Sequence, residues 1–341
     1  MKYKNNRTRL KSSSGENNTM KYISSIDKLL KTCTKNGIFP DYGYSIFKLD
    51  NIIEGGNIKI FFDIASVTKP IASLCLLHLV TNPDAPISEI DERFVPPLGN
   101  KSLSSILRHE AGFVPWIDFF KYVKKPLDII DFLNTSELIY DVNLENNYSD
   151  IGYIIAGILL DRLTGNWHDW LNKVLLKLYI PESQYIFYTA NDGISHAKNG
   201  YENRINDDNA FFFGKLCAHA GLYSNISLMS EFLISLISNY TAGNHRKIYD
   251  YYFKKSSDTA RFTCGLDTPS INGYTSAPLW PIENTFGHLG FSGTAFWFNT
   301  QLQGGAILFT NRCANGTYWK MDEMKKVRSE FFRNAYLQLV S

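Results

Sequence analysis

The sequence predicts an α/β protein of the α+β kind, in which both ends of the chain build one antiparallel sheet and a largely helical stretch lies between them. Apolar, β-prone runs occupy residues 43–64 near the start and 290–310 near the end. Residues 81–240 instead carry short helical patterns separated by Pro, Gly and Asn clusters. A sheet flanked by helices, with a helical insertion, is the simplest arrangement that satisfies these patterns.

The composition of the chain excludes several classes of protein. With 341 residues, 44% of them hydrophobic, the chain can bury a sizeable core and is not globally disordered. Its 35 basic and 33 acidic residues give a formal net charge of +2, which argues against nucleic acid as the main partner. Because no run of about 18 apolar residues occurs, no membrane span is predicted.

The cysteines and the N-terminus bear on where the protein works. Five cysteines are scattered along the chain without a Cys-x-x-Cys pair, which argues against a disulfide framework or a structural zinc site. Residues 1–20 are basic and rich in Ser and Asn, so we expect a flexible tail without a secretory signal. Both observations favour the cytoplasm.

The first elements follow from local patterns. Apolar spacing predicts a first helix over residues 25–34. Two β-prone runs, 43–49 and 57–64, flank Glu54-Gly55-Gly56 and predict a hairpin that turns at the glycines. A helix that is apolar nearly all round, and hence buried, is predicted over 66–80.

The rest of the chain is mostly helical until its last quarter. A second hairpin is predicted from the runs 290–298 and 305–310 around a Gly304-Gly305 turn. The other predicted elements are helices, over 102–109, 127–134, 151–163, 167–178, 227–240 and 321–339. The predicted boundaries are a tail over 1–20 and one domain over 21–341, with an α/β part at about 21–80 and 241–341 and a helical part at about 81–240.

Ser66-Val67-Thr68-Lys69 is the first candidate for chemistry. A serine needs a base to become a nucleophile, and a lysine three residues on lies on the same helix face. Backbone N–H groups at a helix start also suit a developing oxyanion. The same spacing occurs at 25–28 and 195–198, but only Ser66 follows a predicted strand and opens a buried helix. The alternative is a capping serine with a solvated lysine.

Tyr148-Ser149-Asp150 is the second candidate. A tyrosinate beside a cationic lysine can act as a general base. Asp150 could then orient the lysine or the substrate. The alternative is a packing tyrosine next to the N-cap of the helix predicted from residue 151.

The third candidate is the segment from His288 to Thr294, at the start of the C-terminal hairpin. Glycines on an edge strand let a substrate backbone approach, and the N–H after Gly290 could serve as a second oxyanion donor. His288 could supply a switchable charge. The alternative is a glycine-rich strand start with a surface histidine. A rival, His219-Ala220-Gly221, lacks the strand context.

In this order, the three segments resemble the signature of serine β-lactamases and penicillin-binding proteins. The sequence is most similar to the class C branch, including its penicillin-binding-protein-4-like members. Two further stretches agree with it, Ile106–Phe113 and the pair formed by Asp207–Ala210 and Ala218–Ser224. The resemblance covers roughly residues 40–340 and implies a β-lactamase/transpeptidase-like fold.

The resemblance also implies roles for individual residues. Ser66 would be the acylated nucleophile, and Lys69 and Tyr148 would be the proton-transfer pair. Asp150 would be a supporting residue at the position where the family usually has Asn, and His288 would stand where the family has Lys. Gly290 and Phe291 would also support the site, and the oxyanion hole would consist of the N–H groups of Ser66 and Phe291. The implied mechanism needs no metal or organic cofactor.

Two departures from the family pattern bear on the substrate. Leu289 stands where carboxylate-binding members have a Thr whose hydroxyl holds the substrate's carboxylate, and leucine cannot donate. A neutral histidine beside a leucine is a poor anion site, so we expect β-lactams and peptides with a free C-terminal carboxylate to bind weakly. Asp150 is expected to keep Lys69 charged and to shift the role of base towards Tyr148.

The leading functional prediction is therefore a serine hydrolase that works through a Ser66 acyl-enzyme on an ester, amide or peptide bond of a small molecule or peptide. The alternatives within the enzyme class are a D-alanyl-D-alanine carboxypeptidase or endopeptidase and a class C-type β-lactamase. By analogy with the family these would work in the periplasm. An alternative of another class is a non-catalytic sensor or scaffold. The oligomeric state stays open.

Overall fold

The sheet at the centre of the fold joins the two ends of the chain. The computed structural model describes residues 19–140, 147–179, 204–270, 272–315 and 320–341. Five antiparallel strands lie in the order β2-β1-β7-β6-β5. They are β1 (Tyr42–Lys48), β2 (Asn51–Gly56), β5 (Thr285–Leu289), β6 (Ala295–Asn299) and β7 (Gly304–Thr310). A separate pair consists of β3 (Phe62–Asp63) and β4 (Tyr223–Ser224). The predicted fold class is confirmed.

Helices cover both faces of the sheet and fill the middle of the chain. In order they are α1 (Thr19–Lys35), α2 (Thr68–Leu79), α3 (Leu103–Leu107), α4 (Ile129–Thr135), α5 (Ile151–Thr164), α6 (Trp167–Trp170), α7 (Leu176–Tyr179), α8 (Asp208–Phe213), α9 (Ile226–Thr241), α10 (Arg246–Tyr252) and α11 (Met321–Val340). A π-helical turn, Leu171–Leu175, joins α6 to α7. None of the described helices is both long and apolar enough to cross a bilayer.

The sheet separates two hydrophobic cores, because successive side chains of its central strands point to opposite faces. On one face, Ile46 and Leu308 pack with residues of α1 and α11, such as Leu30 and Phe331. On the other face, the next residues along the strands join the large core of the helical part. This two-sided burial follows from the period of two along a strand. At one edge of the sheet, β5 contacts the short turn Ala65–Val67 that precedes α2.

Both glycine pairs predicted as hairpin turns lie inside strands, so those turn positions are wrong. The chain turns instead at Leu49-Asp50, between β1 and β2. Gly55 pairs with Tyr44, and a Cβ at position 55 would collide with the Tyr44 ring. Gly305 lies in β7, where a Cβ would come within 2.7 Å of the Phe47 ring. These glycines therefore make room for aromatic side chains of neighbouring strands.

Two strand predictions also need correction. The run 57–64 is not the second arm of the first hairpin, since only Phe62–Asp63 is a strand and it pairs with β4. In the C-terminal hairpin His288 lies near the end of β5 rather than at the start of a strand, and residues 290–293 form the turn before β6. The turn closes with a hydrogen bond of 3.0 Å from Gly293 N to Gly290 O, and Gly293 has a φ of +98°.

The predicted helices are confirmed, with ends that shift by a few residues. Thr68–Leu79 is buried along nearly its whole length, and a single 3₁₀ turn, Ala65–Val67, precedes it. The predicted helix over 167–178 is the continuous stretch from α6 to α7. Most of the predicted tail, residues 1–18, and the Ser-x-x-Lys match at 195–198 lie outside the described residues. The boundaries of the domain and its parts stay predictions.

Candidate active site

Ser66 lies in the short turn between β3 and α2, on strained backbone. Ala65, just before it, has a φ of +47°, which residues other than Gly, Asn and Asp rarely adopt. Asp63 holds this turn in place. One of its carboxylate oxygens accepts from Ala65 N at 2.9 Å, and the other accepts from Asn206 N at 2.8 Å. The turn presents Ser66, which is partly exposed, to a cleft.

Lys69 lies one helical turn beyond Ser66 and is fully buried. Its ammonium donates to Ser66 Oγ at 3.0 Å and to the main-chain oxygen of His219 at 3.1 Å. Asp150 Oδ1 lies 2.6 Å from the same nitrogen. These contacts rule out a solvated lysine.

Tyr148 completes the group. Its phenol is near enough to Ser66 and Lys69 for each of them to lower its pKa. The ammonium also lies 4.8 Å from the centre of the Tyr148 ring. The structure thus brings together the three side chains that the sequence marked as catalytic candidates. Their catalytic roles stay predictions.

The charge state of this group follows from its neighbours. Burial alone would lower the pKa of the Lys69 ammonium, but Asp150 and Tyr148 outweigh burial and raise it. Burial raises the pKa of the Tyr148 phenol, and the charge on Lys69 opposes that rise. The resting group is therefore a neutral phenol beside an ammonium that is paired with Asp150. An ammonium has no lone pair, so Lys69 cannot itself accept the proton of Ser66 in this state.

His288 stands across the cleft on β5, and its imidazole is neutral. Burial, aided by the Lys69 charge, lowers the pKa of His288 to about 3. Its Nδ1 lies 3.0 Å from the main-chain oxygen of Leu289. Because a carbonyl can only accept, Nδ1 carries the proton, and Nε2 is left as an acceptor. Neither His288 nor Leu289 therefore offers a charged donor to an anion.

Gly290 and Phe291 follow in the turn after β5, close to the serine. A Cβ at Gly290 would come within 2.6 Å of Ile64 O, so only glycine fits this close approach. Two hydroxyls join the turn to the segment before Ser66. Ser292 Oγ donates to Asp63 O at 2.7 Å, and Thr294 Oγ1 donates to Ile64 O at 3.0 Å. Ser66 and Phe291 both line the cleft, as an oxyanion hole made of their N–H groups requires.

The cleft has a volume of about 680 Å³ and carries charges of both signs. Its lining includes apolar surface from Trp116, Phe262 and Leu289. Two guanidiniums and four carboxylates line it among the described residues: Arg261, Arg328, Asp150, Asp207, Asp208 and Asp267. Arg261 is half-exposed but already donates to both oxygens of Asp267, at 2.8 and 2.7 Å. The described lining therefore holds no excess of positive charge.

An ion pair between the buried His219 and the partly exposed Asp207 supports Lys69. His219 Nε2 lies 2.8 Å from Asp207 Oδ1, and its Nδ1 lies 2.7 Å from Cys217 Sγ. Burial alone would lower the pKa of His219, but Cys217 and Asp207 raise it well above its usual value. Burial alone would raise the pKa of Asp207, but His219 lowers it to about 2. Because His219 O accepts from Lys69, this pair fixes one wall of the lysine site.

This ion pair predicts that the free energy of unfolding falls at acidic pH. A carboxyl with a depressed pKa stabilises the folded state above its unfolded pKa of about 3.9, and that contribution is lost as pH falls through its folded pKa. We expect Asp207 to lose a contribution on the order of 2 kcal/mol between about pH 4 and pH 2. Urea unfolding of wild type and Asp207→Asn at several pH values measures it. The difference between the two should shrink as pH falls, and a constant difference would contradict the assignment.

One group of side chains in the described residues has the arrangement of metal ligands. The ligand atoms of Asp150, Asp207 and His219 lie within 4.8 Å of one another. Asp150 Oδ1 is the atom that pairs with Lys69, and Asp207 Oδ1 is the atom that pairs with His219. A metal ion would have to displace both ion pairs, so we interpret the group as part of the lysine site.

Sequence reasoning missed one residue that orients Tyr148. His109 is buried, and its Nδ1 accepts from Ser149 N at 3.0 Å. Its ring centre lies 4.6 Å from that of Tyr148. Burial and the Lys69 charge hold the pKa of His109 well below its usual value, so the ring is neutral. The family-like stretch 106–113 contains this residue, but only the fold shows what it contacts.

Comparisons with known proteins identify relatives that align with over two thirds of the chain. A 305-residue alignment with N-acetylmuramyl-L-alanine amidase of Bacillus subtilis is 23% identical and covers 74% of this chain and 68% of that protein. A Salmonella gallinarum protein assigned as a D-alanyl-D-alanine carboxypeptidase is 22% identical over 284 residues, which cover 68% of this chain and 65% of that one. The chain thus spans about two thirds of the length of these relatives.

Solved structures show the same fold. The β-lactamase/D-alanine carboxypeptidase of Pseudomonas syringae superposes with a TM-score of 0.69 at 12% identity, covering 92% of this chain and 99% of that one. The model of the Beta-lactamase family matches residues 61–326, a segment that runs from just before β3 into α11. Because this match spans well over half of the sequence, the chain belongs to the β-lactamase family.

Proposed function

We propose that this protein is a serine hydrolase that cleaves an ester, amide or peptide bond through an acyl-enzyme on Ser66. The observation that carries the proposal is the meeting of three groups at the edge of one cleft. Lys69 Nζ lies 3.0 Å from Ser66 Oγ and 4.8 Å from the centre of the Tyr148 ring, and both residues lower the pKa of the Tyr148 phenol. A hydroxyl in contact with a lysine and a phenol is the arrangement that an activated nucleophile needs.

The proton path follows from the charges. Lys69 is held as a cation by Asp150, so Tyr148 is the group placed to accept the proton of Ser66. The Tyr148 phenol first loses its proton to solvent water, a step that the Lys69 charge makes less costly. The tyrosinate then takes the Ser66 proton and becomes a phenol again as Ser66 Oγ attacks the carbonyl carbon. The carbonyl oxygen then becomes an oxyanion facing the N–H groups of Ser66 and Phe291. Tyr148 returns the proton to the leaving group, and water hydrolyses the acyl-enzyme by the same steps.

Intact-mass labelling tests this proposal. A fluorophosphonate should add one label to the wild type and none to Ser66→Ala, because only an activated serine reacts at an appreciable rate. A penicillin is used in parallel to compare lactam with ester chemistry. The control is Ser25→Ala, which removes the serine of the other Ser-x-x-Lys match in the described residues, exposed on α1. If neither reagent labels the wild type, the sensor alternative replaces the proposal.

The expected substrate has no free carboxylate next to the scissile bond. Leu289 cannot donate, His288 is neutral, and Arg261 is already paired with Asp267. We expect the purified protein to cleave a p-nitrophenyl ester faster than it hydrolyses nitrocefin or releases D-Ala from a pentapeptide. Leu289→Thr supplies the missing hydroxyl and should raise kcat/KM for the two carboxylate substrates about tenfold relative to the ester. Equal or greater activity of the wild type on nitrocefin or the pentapeptide would contradict this expectation.

The relatives named above support an alternative class of substrate. Their names concern D-alanyl-D-alanine and N-acetylmuramyl-L-alanine bonds, so a peptide or amide of that kind is the second candidate substrate. We propose the cytoplasm as the site of action, because all five cysteines are free and buried. Fractionation of cells that produce the full-length protein would place it directly.

A further inference from the structure

We infer that Arg328, on α11, is a positioning residue that fixes and polarises the backbone N–H of Phe291 in the proposed oxyanion hole. The inference rests on the proposed function, since it concerns the same transition state. Arg328 is 4% exposed and lines the cleft. It lies 37 positions after Phe291 in the sequence.

The contacts of Arg328 span the turn that carries Phe291. Its Nη2 donates to the carbonyl oxygen of Gly290 and, at 3.0 Å, to that of Thr294. The turn itself is closed by Gly290 N donating to Thr294 O at 2.7 Å. A single guanidinium nitrogen thus joins both ends of the turn. These two hydrogen bonds restrict the position of Phe291, which lies between the two ends.

Of the two carbonyl groups that Arg328 contacts, that of Gly290 matters for the oxyanion hole because it shares a peptide unit with the N–H of Phe291. The oxygen of Gly290 and the N–H of Phe291 belong to the same planar peptide unit, whose dipole runs from one to the other. A cation on the oxygen draws electron density towards it and leaves the N–H more positive. The N–H of Phe291 therefore becomes a stronger donor to an oxyanion in the cleft.

Arg328 keeps its charge in this setting. Burial lowers the pKa of its guanidinium to about 10, so it is a cation at neutral pH. Its hydrogen-bond partners in the described part of the chain are carbonyl oxygens, and a carbonyl does not neutralise a charge. Retaining an unneutralised buried cation is costly. The cost is understandable if the charge acts on a nearby oxyanion.

The next peptide unit is held in a similar way by a second arginine. Arg312 donates to Phe291 O through Nε, at 3.1 Å, and through Nη2. Its guanidinium also lies 4.5 Å from the centre of the Phe291 ring. Phe291 O belongs to the peptide that continues to Ser292, so Arg312 holds the residue but does not act on the oxyanion donor. Arg328 is the one of these two that contacts the peptide carrying the donor N–H.

The test compares Arg328→Gln with Arg328→Lys. Glutamine can still donate to Gly290 O but has no charge, whereas lysine keeps the charge. Binding of phenylboronic acid is measured beside kcat and KM for a p-nitrophenyl ester, because its tetrahedral adduct with Ser66 places an oxygen in the oxyanion hole. We expect Arg328→Gln to weaken boronate binding and to lower kcat, each by about 10- to 100-fold. This is less than the effect of losing a whole oxyanion donor, because the N–H of Phe291 is still present. KM should change less than about threefold, and Arg328→Lys should lose less than Arg328→Gln.

The control is Arg333→Gln, which removes the same charge from an exposed position on the same helix and should change neither measurement. If Arg328→Gln binds the boronate as the wild type does, or if Arg328→Lys loses as much as Arg328→Gln, the inference is overturned while the proposed function stands. If the wild type binds no boronate and takes no fluorophosphonate, the proposed function fails and the inference fails with it. Should Arg328→Gln not fold, Arg328→Met replaces it as the uncharged variant. Equal boronate affinity of Arg328→Met and Arg328→Lys then overturns polarisation by charge, and weaker binding by Arg328→Met supports it.

Discussion

Lys69→Met is expected to lower kcat/KM for the ester substrate at least about 10³-fold. Methionine keeps the length of the side chain but removes the charge that lies 3.0 Å from Ser66 Oγ and 4.8 Å from the centre of the Tyr148 ring. Without that charge the tyrosinate is no longer stabilised, and general base catalysis of this kind contributes about 10²- to 10⁴-fold by itself. Steady-state kinetics on the p-nitrophenyl ester measure the loss.

The variant must be separated from simple unfolding. Removing Lys69 leaves Asp150 without its partner at 2.6 Å, and an unpaired charge in a largely buried site is destabilising. The double variant Lys69→Met/Asp150→Asn removes both charges and should recover the free energy of unfolding but not the activity. Lys28→Met is the matched control, since it changes the exposed lysine of the motif on α1. Recovery of activity in the double variant would show that the lysine only balances Asp150.

Tyr148→Phe is expected to lower kcat/KM about 10²- to 10⁴-fold while leaving the fold intact. The ring and its packing on His109 and Phe262 are kept, and only the hydroxyl that contacts Ser66 and Lys69 is lost. Burial raises the pKa of Tyr148, so the base form grows as pH rises and wild-type activity should increase towards alkaline pH. The variant should lose that rise. Kinetics between pH 6 and pH 10 measure both effects.

Tyr153→Phe is the control for this prediction. It removes another buried hydroxyl near the same lysine, one that contacts Ser73 and Leu107 O rather than the nucleophile. It should cost about 1 kcal/mol in free energy of unfolding and keep the alkaline rise. If Tyr148→Phe keeps the wild-type pH profile, Tyr148 is not the base.

The sequence predicts that Ser66, Lys69 and Tyr148 lie close together because local and family-like patterns agree there. Spacing alone also selects Ser25 and Lys28, which the structure places on the exposed surface of α1. What distinguishes Ser66 is the apolar character of the residues after Lys69, since it predicts that the amine is buried. The order of the three motifs then indicates which distant tyrosine meets it.

Long-range packing explains what the sequence does not predict. A glycine pair between two apolar runs has the local pattern of a turn, yet Gly55 and Gly305 lie in strands because aromatic rings of neighbouring strands occupy the space of a Cβ. Arg328 looks like any cation on an amphipathic C-terminal helix, and its partners at 290 and 294 are backbone atoms without a residue-type signal. Only the assembled fold brings such groups together.

The pairing of β1 with β7 has a consequence for how the protein is made. Tyr42 pairs with Thr310, so the strand made first must wait for the last strand before its second edge is covered. At about 5–20 residues per second, a ribosome takes roughly half a minute to translate the intervening chain. During that interval the hairpin of β1 and β2 exposes an apolar, unpaired edge, which is the kind of surface that chaperones bind. The N–H of Phe291, the second donor of the proposed oxyanion hole, also reaches Ser66 only after residue 291 has been translated, so under the proposed function a shorter nascent chain is inactive.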